Sequence, residues 1–251
     1  MNCYETVEMK YWNINSMRDR RFTILSTASM PLEKIPPLPE SVEIRMVPFI
    51  EILARQDEET KSRITELAKE KHTVIFTSVQ AVRAVTACLQ HKPDWKMYCV
   101  GTETRSSIGN WFGPNAIQHS AENAQALSEI IIGDHIKEAI FFCGDQRMDI
   151  LPEKLKNRGI RLTELIVYET RLTPIRLEKP PDAVLFFSPT AVRSFFSMNS
   201  ISPATPVFAM GKTTAATLKQ YTGNPVIISS EADKAFVLNL ALEYAGSHPI
   251  I

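Results

Sequence analysis

Two serines follow short apolar runs at matching places in the chain, and their chemistry suits the binding of an anion. Ser78 comes after VIFT and Ser188 after VLFF, and a helical pattern follows each of them. A serine in that position caps the helix by accepting a hydrogen bond from a backbone N–H group. A helix N-terminus also attracts negative charge, so the hydroxyl and the remaining amides can together bind a carboxylate. The position favours the cap, and the two roles are compatible.

Two glycine–threonine turns, VGTET and MGKTT, repeat a second arrangement of this kind. Glycine allows close approach of the backbone to a ligand, and the N–H groups that follow can converge on an anion. Either turn alone could equally be an ordinary strand–helix junction, but its occurrence twice favours a ligand that spans two lobes. Lys212 has no counterpart, because Thr102 occupies the matching position, and its role stays open. The candidate binding residues in these turns are Gly101, Thr104, Gly211, Thr213 and Thr214.

A third polar loop follows the apolar run AIFFC and begins at Gly144. Its amides could hold a carboxylate or a phosphate, and Arg147 is the nearby cation suited to a bidentate contact. Cys143 directly precedes the loop but has no obvious histidine partner in the sequence. A buried, packed thiol is therefore favoured over a nucleophile.

Tyr168 lies in the stretch LIVYETR, which is extended in character. An aromatic residue in a strand usually serves packing. A phenol that faces a bound ligand can instead donate a proton or a hydrogen bond to a leaving group. Both roles remain open from the residues alone.

The elements that must position these residues alternate between short apolar strands and amphipathic helices. Continuous apolar strands in this alternation predict an α/β fold with a parallel sheet covered on both faces, and ligands bind such sheets at the carboxyl ends of the strands. The predicted strands are 23–26, 42–47, 74–77, 97–100, 139–143, 165–168, 183–187, 207–210 and 225–228. The predicted helices are 58–70, 81–90, 123–132, 152–157, 190–198, 213–220 and 234–244.

An internal repeat is the most informative feature of the sequence. VIFTSVQAVRAV at 74–85 resembles VLFFSPTAVRSF at 184–195, and YCVGTETRSSI resembles FAMGKTTAATL at the same offset of 110 residues. A fainter similarity, at an offset near 118, links the segments around 22–49 to those around 140–168. The chain is therefore predicted to be a duplicated α/β unit.

Prolines bracket two segments of alternating polarity, 41–52 and 159–172. Such segments suit connectors between domains better than core strands, and as a pair they would form a two-stranded hinge. The predicted organisation is a loose tail over 1–20, one discontinuous lobe of 21–40 with 173–251, the two connector strands, and a second lobe of 53–158.

Composition excludes several classes of protein. The 251 residues favour two domains. Lys and Arg number 28, as do Asp and Glu, which argues against a nucleic-acid binder that relies on bulk positive charge. No apolar run approaches the ~18 residues of a membrane helix, and the first residues lack a signal-peptide core, so we expect a cytoplasmic protein. The four cysteines and five histidines form no metal-binding pattern, and GxGxxG, GxxxxGK[ST] and GxSxG are absent.

The ensemble of motifs resembles the uroporphyrinogen-III synthase family over roughly residues 22–240. The motifs, in order, are IFTSVQAVRA, VGTET, CGDQRMDILPEKLKNRGI followed by VYET, FFSPTAVRSF and MGKTTAATL. No single motif is specific, but their order and spacing are. Two departures stand out: STASMPLEKIPPLPE lacks the arginine-containing loop common in the family, and residues 1–20 have no clear counterpart.

The resemblance implies two flavodoxin-like α/β domains joined by a two-stranded connector. It also implies a cyclase that closes the linear tetrapyrrole hydroxymethylbilane with loss of water and inversion of ring D, without cofactor or metal. On the family's pattern, Tyr168 assists loss of the hydroxyl, and the polar positions that line the site are Ser78, Thr104, Ser188, Thr213 and Thr214. We expect a monomer that makes transient contact with the preceding enzyme of the pathway.

The alternative is a non-catalytic two-lobed binder or regulatory relative that kept the fold and lost turnover. Retention of both glycine–threonine turns and of Tyr168 favours the enzyme, whereas the missing arginine loop favours the binder.

Overall fold

A computed structural model describes residues 20–248 of the chain. The predicted loose tail therefore lies, but for its last residue, outside the described part. The eleven strands of the described part are β1 Phe22–Ser26, β2 Val42–Met46, β3 Ile50–Ala54, β4 His72–Phe76, β5 Trp95–Val100, β6 Ile117–Ala121, β7 Glu138–Gly144, β8 Arg161–Leu172, β9 Ala183–Phe186, β10 Val207–Ala209 and β11 Val226–Ile228. Its eight α-helices are α1 Glu58–Leu67, α2 Val79–Thr86, α3 Thr102–Phe112, α4 Ala124–Gly133, α5 Ile150–Asn157, α6 Pro189–Phe196, α7 Lys212–Leu218 and α8 Lys234–Ser247. No helix within this range is both long and apolar enough to cross a membrane.

The chain divides into two compact units. Within the described range, the first contains residues 20–50 and 172–248, and the second contains residues 51–171. The chain therefore leaves the first unit once and returns to it once.

The first unit is a five-stranded, wholly parallel sheet in the order β11-β10-β9-β1-β2. Helix α8 packs on one face, where Leu238 and Ile24 belong to one buried cluster, and helices α6 and α7 pack on the other, where Phe195 and Leu25 belong to a second cluster. Counted along its own strands, this is the flavodoxin-like order 2-1-3-4-5. The predicted α/β class and parallel sheet are confirmed.

The second unit has six strands in the order β3-β8-β7-β4-β5-β6. The five strands from β8 to β6 are parallel. Strand β3 forms the edge and runs antiparallel to β8: Arg55 N donates to Val167 O at 2.8 Å, while Thr173 N donates to Phe49 O at 3.0 Å. Helices α1, α2 and α3 cover one face and helices α4 and α5 the other.

The internal repeat is confirmed at the level of single capping residues. Ser78 and Ser188 cap α2 and α6, Gly101 and Gly211 cap α3 and α7, and Asn123 and Asp233 cap α4 and α8. All three pairs keep the offset of 110 residues. The fainter similarity also has a structural counterpart, because β7 and β8 take the places in their sheet that β1 and β2 take in theirs.

The two segments expected to be connectors do pair, because β3 runs antiparallel to β8 and the chain passes between the two units within these strands, but each segment also contributes a strand to a sheet. Strand β2 pairs with β1 over its whole length, and β8 pairs with β7 from Arg161 to Tyr168. Both strands belong to the sheets. Their alternation of polar and apolar residues fits a strand with one buried face, and a connector strand shows the same alternation. Strand β6 was absent from the predicted elements, since IQHSA is short and polar, and α3 was predicted only as the helix that follows the VGTET turn, without a range, since it has few buried apolar positions.

Gly101 and Gly211 are needed for their backbone conformation, since φ is +85° and +89° at these caps. Nothing lies within 4 Å of a Cβ built at either glycine, so the strain of an added side chain would be purely conformational. Gly101→Ala is therefore expected to lower the free energy of unfolding by about 1 kcal/mol.

The matched control is Gly109→Ala inside α3, which also has free space around its Cβ but no positive φ. Alanine is the better helix former, so this control is expected to stabilise the protein by up to about 1 kcal/mol. Urea unfolding of both variants measures the contrast, and equal effects would contradict the conformational explanation.

Candidate functional site

The candidate site lies at the carboxyl edge of the second unit's sheet, between β4 and β7. These neighbouring strands are parallel, and the sheet continues through β5 on one side and β8 on the other. In open α/β sheets such a reversal of strand order leaves a crevice outside the strand ends, where ligands bind. Ser78 follows β4 and Gly144 ends β7, so two of the predicted site residues flank this crevice.

Ser78 is the N-cap of α2, as its position in the sequence favoured. Its Oγ accepts a hydrogen bond from the backbone N–H of Gln80 at 3.0 Å. The hydroxyl proton remains available, because this bond uses the oxygen only as an acceptor. The residue is half-buried, so the hydroxyl can cap the helix and donate to a second partner.

Tyr168 reaches this edge because of a β-bulge between β7 and β8. Cys143 pairs with Ile166, but the next residue, Gly144, pairs with Tyr168, so Val167 is the extra residue on β8. Ile166 packs with the α4 and α5 face, whereas both Val167 and Tyr168 pack with the face of α1, α2 and α3. Regular alternation would have placed Tyr168 with Ile166, and the bulge turns it to the face where α2 begins.

The ring of Tyr168 lies directly over the α-carbon of Gly144. A Cβ built on Gly144 would come within 2.4 Å of Cε2 and Cζ of the ring and 2.8 Å of its Oη. Gly144 itself is buried, and the next amide, Asp145 N, donates to Tyr168 O at 3.2 Å. The tyrosine therefore occupies the space over Gly144, one of the residues predicted to bind an anion, whereas Asp145 and Gln146 are exposed and anion binding by the rest of this loop stays a prediction.

The environment of Tyr168 keeps its phenol protonated. Burial is the largest influence and raises the pKa of the phenol above its usual value, while hydrogen bonding with the side chain of Ser78 lowers it. The neighbouring groups Cys143 and Asp145 raise the pKa further. The phenol is therefore a proton or hydrogen-bond donor at neutral pH, and it stays partly exposed.

Arg147 does not serve the role expected from the sequence. Its guanidinium forms ion pairs with Glu164 of β8 and with Asp149, so it is already neutralised by two carboxylates. Cys143 is the packed thiol that was expected: it is buried, and burial raises its pKa to about 11. A thiol with that pKa is not a nucleophile at neutral pH.

The next turn along the same edge contains Gly101 and Thr104 at the start of α3. Gly101 N donates to Ala121 O at 2.9 Å, so this amide serves the fold. Thr104 belongs to the first turn of α3 and is only 4 % exposed, so it offers little surface to a ligand. Gly101 is thus a conformational requirement of the turn.

The remaining predicted residues lie in the first unit, at the carboxyl edge of its own sheet. Ser188 caps α6 by accepting from Ala191 N at 3.1 Å, as Ser78 does in α2. Thr214 is buried, and its hydroxyl donates to Met210 O at 3.4 Å, so it stabilises the turn. Gly211, Thr213 and Lys212 are accessible there, and Lys212 has no ion pair among the described residues.

Asp145 is the residue that sequence reasoning missed. It forms two contacts around Tyr168, one through its backbone and one through its carboxylate, which accepts from Thr170 N at 2.9 Å. Its position directly after Gly144 was the only signal in the sequence. Among residues 20–248, no group of three His, Cys, Asp or Glu side chains is placed to hold a metal ion.

The fold and the site define a class of protein: two flavodoxin-like parallel α/β units, with polar helix caps at the carboxyl edge of each sheet and a protonated tyrosine at one of them. The family model for uroporphyrinogen-III synthase HemD matches residues 40–237. This chain belongs to the uroporphyrinogen-III synthase family.

Solved structures share the fold. A uroporphyrinogen-III synthetase from Helicobacter pylori aligns with a TM-score of 0.64 at 17% identity, over 90% of this chain and 99% of its own. A mutant uroporphyrinogen III synthase from Thermus thermophilus aligns with a TM-score of 0.60 at 15% identity, over 90% and 98%. At these identities the likeness concerns the fold.

Proposed function

We propose that the protein converts hydroxymethylbilane to uroporphyrinogen III as a cofactor-independent cyclising hydro-lyase. Membership of the family supports the reaction, and the observation that carries the assignment of residues is the placement of the Tyr168 phenol beside Ser78 at the crevice between β4 and β7. The hydroxyl of the terminal hydroxymethyl group takes up a proton and leaves as water, and the methylene carbon of the resulting azafulvene cation is attacked by the substituted carbon of ring D. The spiro intermediate then fragments and recloses with that ring inverted.

Tyr168 is the proposed proton donor for loss of the hydroxyl. A hydroxyl leaves far more readily as water than as hydroxide, and a protonated phenol held at the crevice supplies that proton. Because the pKa of the phenol is raised, Tyr168 retains its proton until the proton is transferred to the departing hydroxyl. The phenolate left behind regains a proton from ring D when that ring loses its own after closure.

Backbone and hydroxyl groups at the strand ends are the proposed carboxylate-binding groups. Ser188 retains a hydroxyl proton after capping its helix and can donate it to an acetate or propionate group of the substrate, whereas the hydroxyl of Ser78 hydrogen-bonds with the phenol of Tyr168. Thr213 and Lys212 offer further accessible donors at their own sheet edge, whereas the N–H of Gly211 donates to Ala209 O at 2.9 Å. Positioning is the main requirement, because the open-chain substrate cyclises by itself to the symmetric type I isomer and the enzyme must direct the alternative closure.

The proposal extends to a monomeric cytoplasmic enzyme that contacts the preceding pathway enzyme transiently. The transient contact suits a reactive substrate that closes spontaneously if it is released for long.

A coupled assay tests the proposed function. Hydroxymethylbilane is generated in situ, the purified protein is added, and the oxidised products are separated by isomer. We expect type III to dominate with the protein and type I in the blank. Only type I at the blank rate would contradict the proposal and leave a two-unit binder.

A further inference from the structure

We propose that Gly144 and Asp145 are positioning residues for Tyr168, acting through the tyrosine and not on the substrate. The inference rests on the proposed role of Tyr168 as proton donor. Gly144 leaves room for the tyrosine ring, which is its steric function. Asp145 has a geometric function, through hydrogen bonds to the backbone around Tyr168, and an electrostatic one, through its charge.

The steric part follows from the contact between Gly144 and the phenol ring. Non-bonded carbon atoms are stable at about 3.5–4.0 Å. A Cβ at Gly144 would lie 2.4 Å from two ring carbons, so any other residue would push the ring away by about 1 Å or more. Glycine is required here by the side chain that covers it, since Gly144, unlike Gly101 and Gly211, does not have a positive φ.

The geometric part concerns the backbone on both sides of Tyr168. Asp145 N donates to the carbonyl oxygen of Tyr168, and the Asp145 carboxylate accepts from the N–H of Thr170, two residues further along β8. The bulge at Val167 directly precedes this stretch, and β7 ends at Gly144, opposite Tyr168. These two hydrogen bonds therefore fix the backbone on both sides of Tyr168 and, with it, the direction in which the Tyr168 side chain points.

The electrostatic part concerns the groups that surround the phenol. Ser78 approaches from the start of α2, and Cys143 and Asp145 approach from β7 and the loop after it. Next to Tyr168 on β8, Glu169 is held in an ion pair by Arg55, which follows β3, at 2.7 Å. The Asp145 carboxylate is anchored to Thr170 N, two residues from Tyr168, and its negative charge disfavours the phenolate, so Asp145 helps to keep the proton on Tyr168.

A double-mutant cycle tests the steric part. Gly144→Ala is expected to lower kcat by about a hundredfold through displacement of the ring, with a small change in KM. In a Tyr168→Ala background, the same substitution is expected to change neither kcat nor melting temperature further, because the ring it clashes with is gone. Gly109→Ala is the matched glycine control and is expected to retain wild-type turnover.

Two results would overturn the steric part. Equal losses from Gly144→Ala in both backgrounds would show that Gly144 acts independently of Tyr168, and wild-type kcat for the single variant would show that the ring is not displaced. If the single variant fails to fold, recovery of folding in the double variant supports the clash, and failure in both contradicts it.

A spectrophotometric titration tests the electrostatic part without substrate. The difference in phenolate absorption between the wild-type protein and Tyr168→Phe isolates Tyr168 from the other tyrosines. Asp145→Asn keeps the oxygen that accepts from Thr170 but removes the charge, so the Tyr168 titration is expected to shift to lower pH. The alkaline loss of kcat should shift in the same direction, since activity is lost as pH rises through the pKa of the donor.

Asp145→Ala separates geometry from charge, because it removes the acceptor as well. We expect Asp145→Asn to retain near-neutral kcat and Asp145→Ala to lower it. An unchanged Tyr168 titration in Asp145→Asn would overturn the electrostatic part, and equal kcat in the two variants would overturn the geometric part. An inactive wild-type protein would instead contradict the proposed function, while the stability cycle and the titration would still decide the inference.

Discussion

Tyr168→Phe is expected to lower kcat by about a hundredfold while leaving KM nearly unchanged. The variant removes only the phenolic oxygen, so the ring still fills the space above Gly144 and the crevice keeps its shape. Turnover slows and does not vanish, because the substrate can lose its hydroxyl without a donor. Steady-state kinetics with isomer analysis measure both effects.

The isomer ratio adds a second readout for Tyr168→Phe. If Tyr168 assists only the loss of water, the product formed on the enzyme stays type III, and type I rises only through the competing spontaneous reaction. Tyr221→Phe is a suitable control, since Tyr221 is 44 % exposed and stacks on Phe196 in the first unit. Unchanged turnover in Tyr168→Phe would remove the phenol from the mechanism.

Phe142→Ala is expected to lower the free energy of unfolding of the second unit by about 3–5 kcal/mol. Phe142 is fully buried, and its ring stacks on Phe76 at 5.3 Å and lies 5.5 Å from Trp95. It belongs to the buried cluster against which Tyr168 packs, so the loss of its ring would also weaken the support of the site.

Tryptophan fluorescence is the appropriate measurement for Phe142→Ala, because Trp95 and Trp111 both lie in the second unit. The urea transition followed by this signal should move to lower concentration. Phe142→Leu, which keeps the space largely filled, should cost less than about 1.5 kcal/mol. Equal losses in the two variants would contradict the assignment of the destabilisation to a cavity.

The sequence by itself determined the local parts of this protein. The α/β class, most of the elements, and the capping residues Ser78, Ser188, Gly101 and Gly211 could be predicted because they depend on neighbouring residues. Capping chemistry, hydrophobic periodicity and the conformational freedom of glycine act within a few residues. The repeat made these signals stronger, since each was seen twice at one offset.

The roles of side chains within the site depended on contacts between distant segments. Arg147 looked available as a cation, but Glu164, seventeen residues away, neutralises it together with Asp149. Thr104 and Thr214 were predicted to bind the substrate, but each is buried once its helix packs on the sheet. Whether a side chain is exposed or already paired depends on tertiary packing, which the pattern of residues along the chain does not specify.

The position of Tyr168 is the clearest case of a decision made by tertiary structure. Alternation along β8 would place it on the face of Ile166, and one extra residue relative to β7 turns it to the opposite face. That extra residue is defined only when the two strands pair, twenty-four residues apart at Gly144 and Tyr168. A bulge is a property of two paired strands, so the sequence of one strand does not specify it. The sequence contains the tyrosine and the glycine, but only the register between β7 and β8 places the ring over the glycine and directs the phenol to the site.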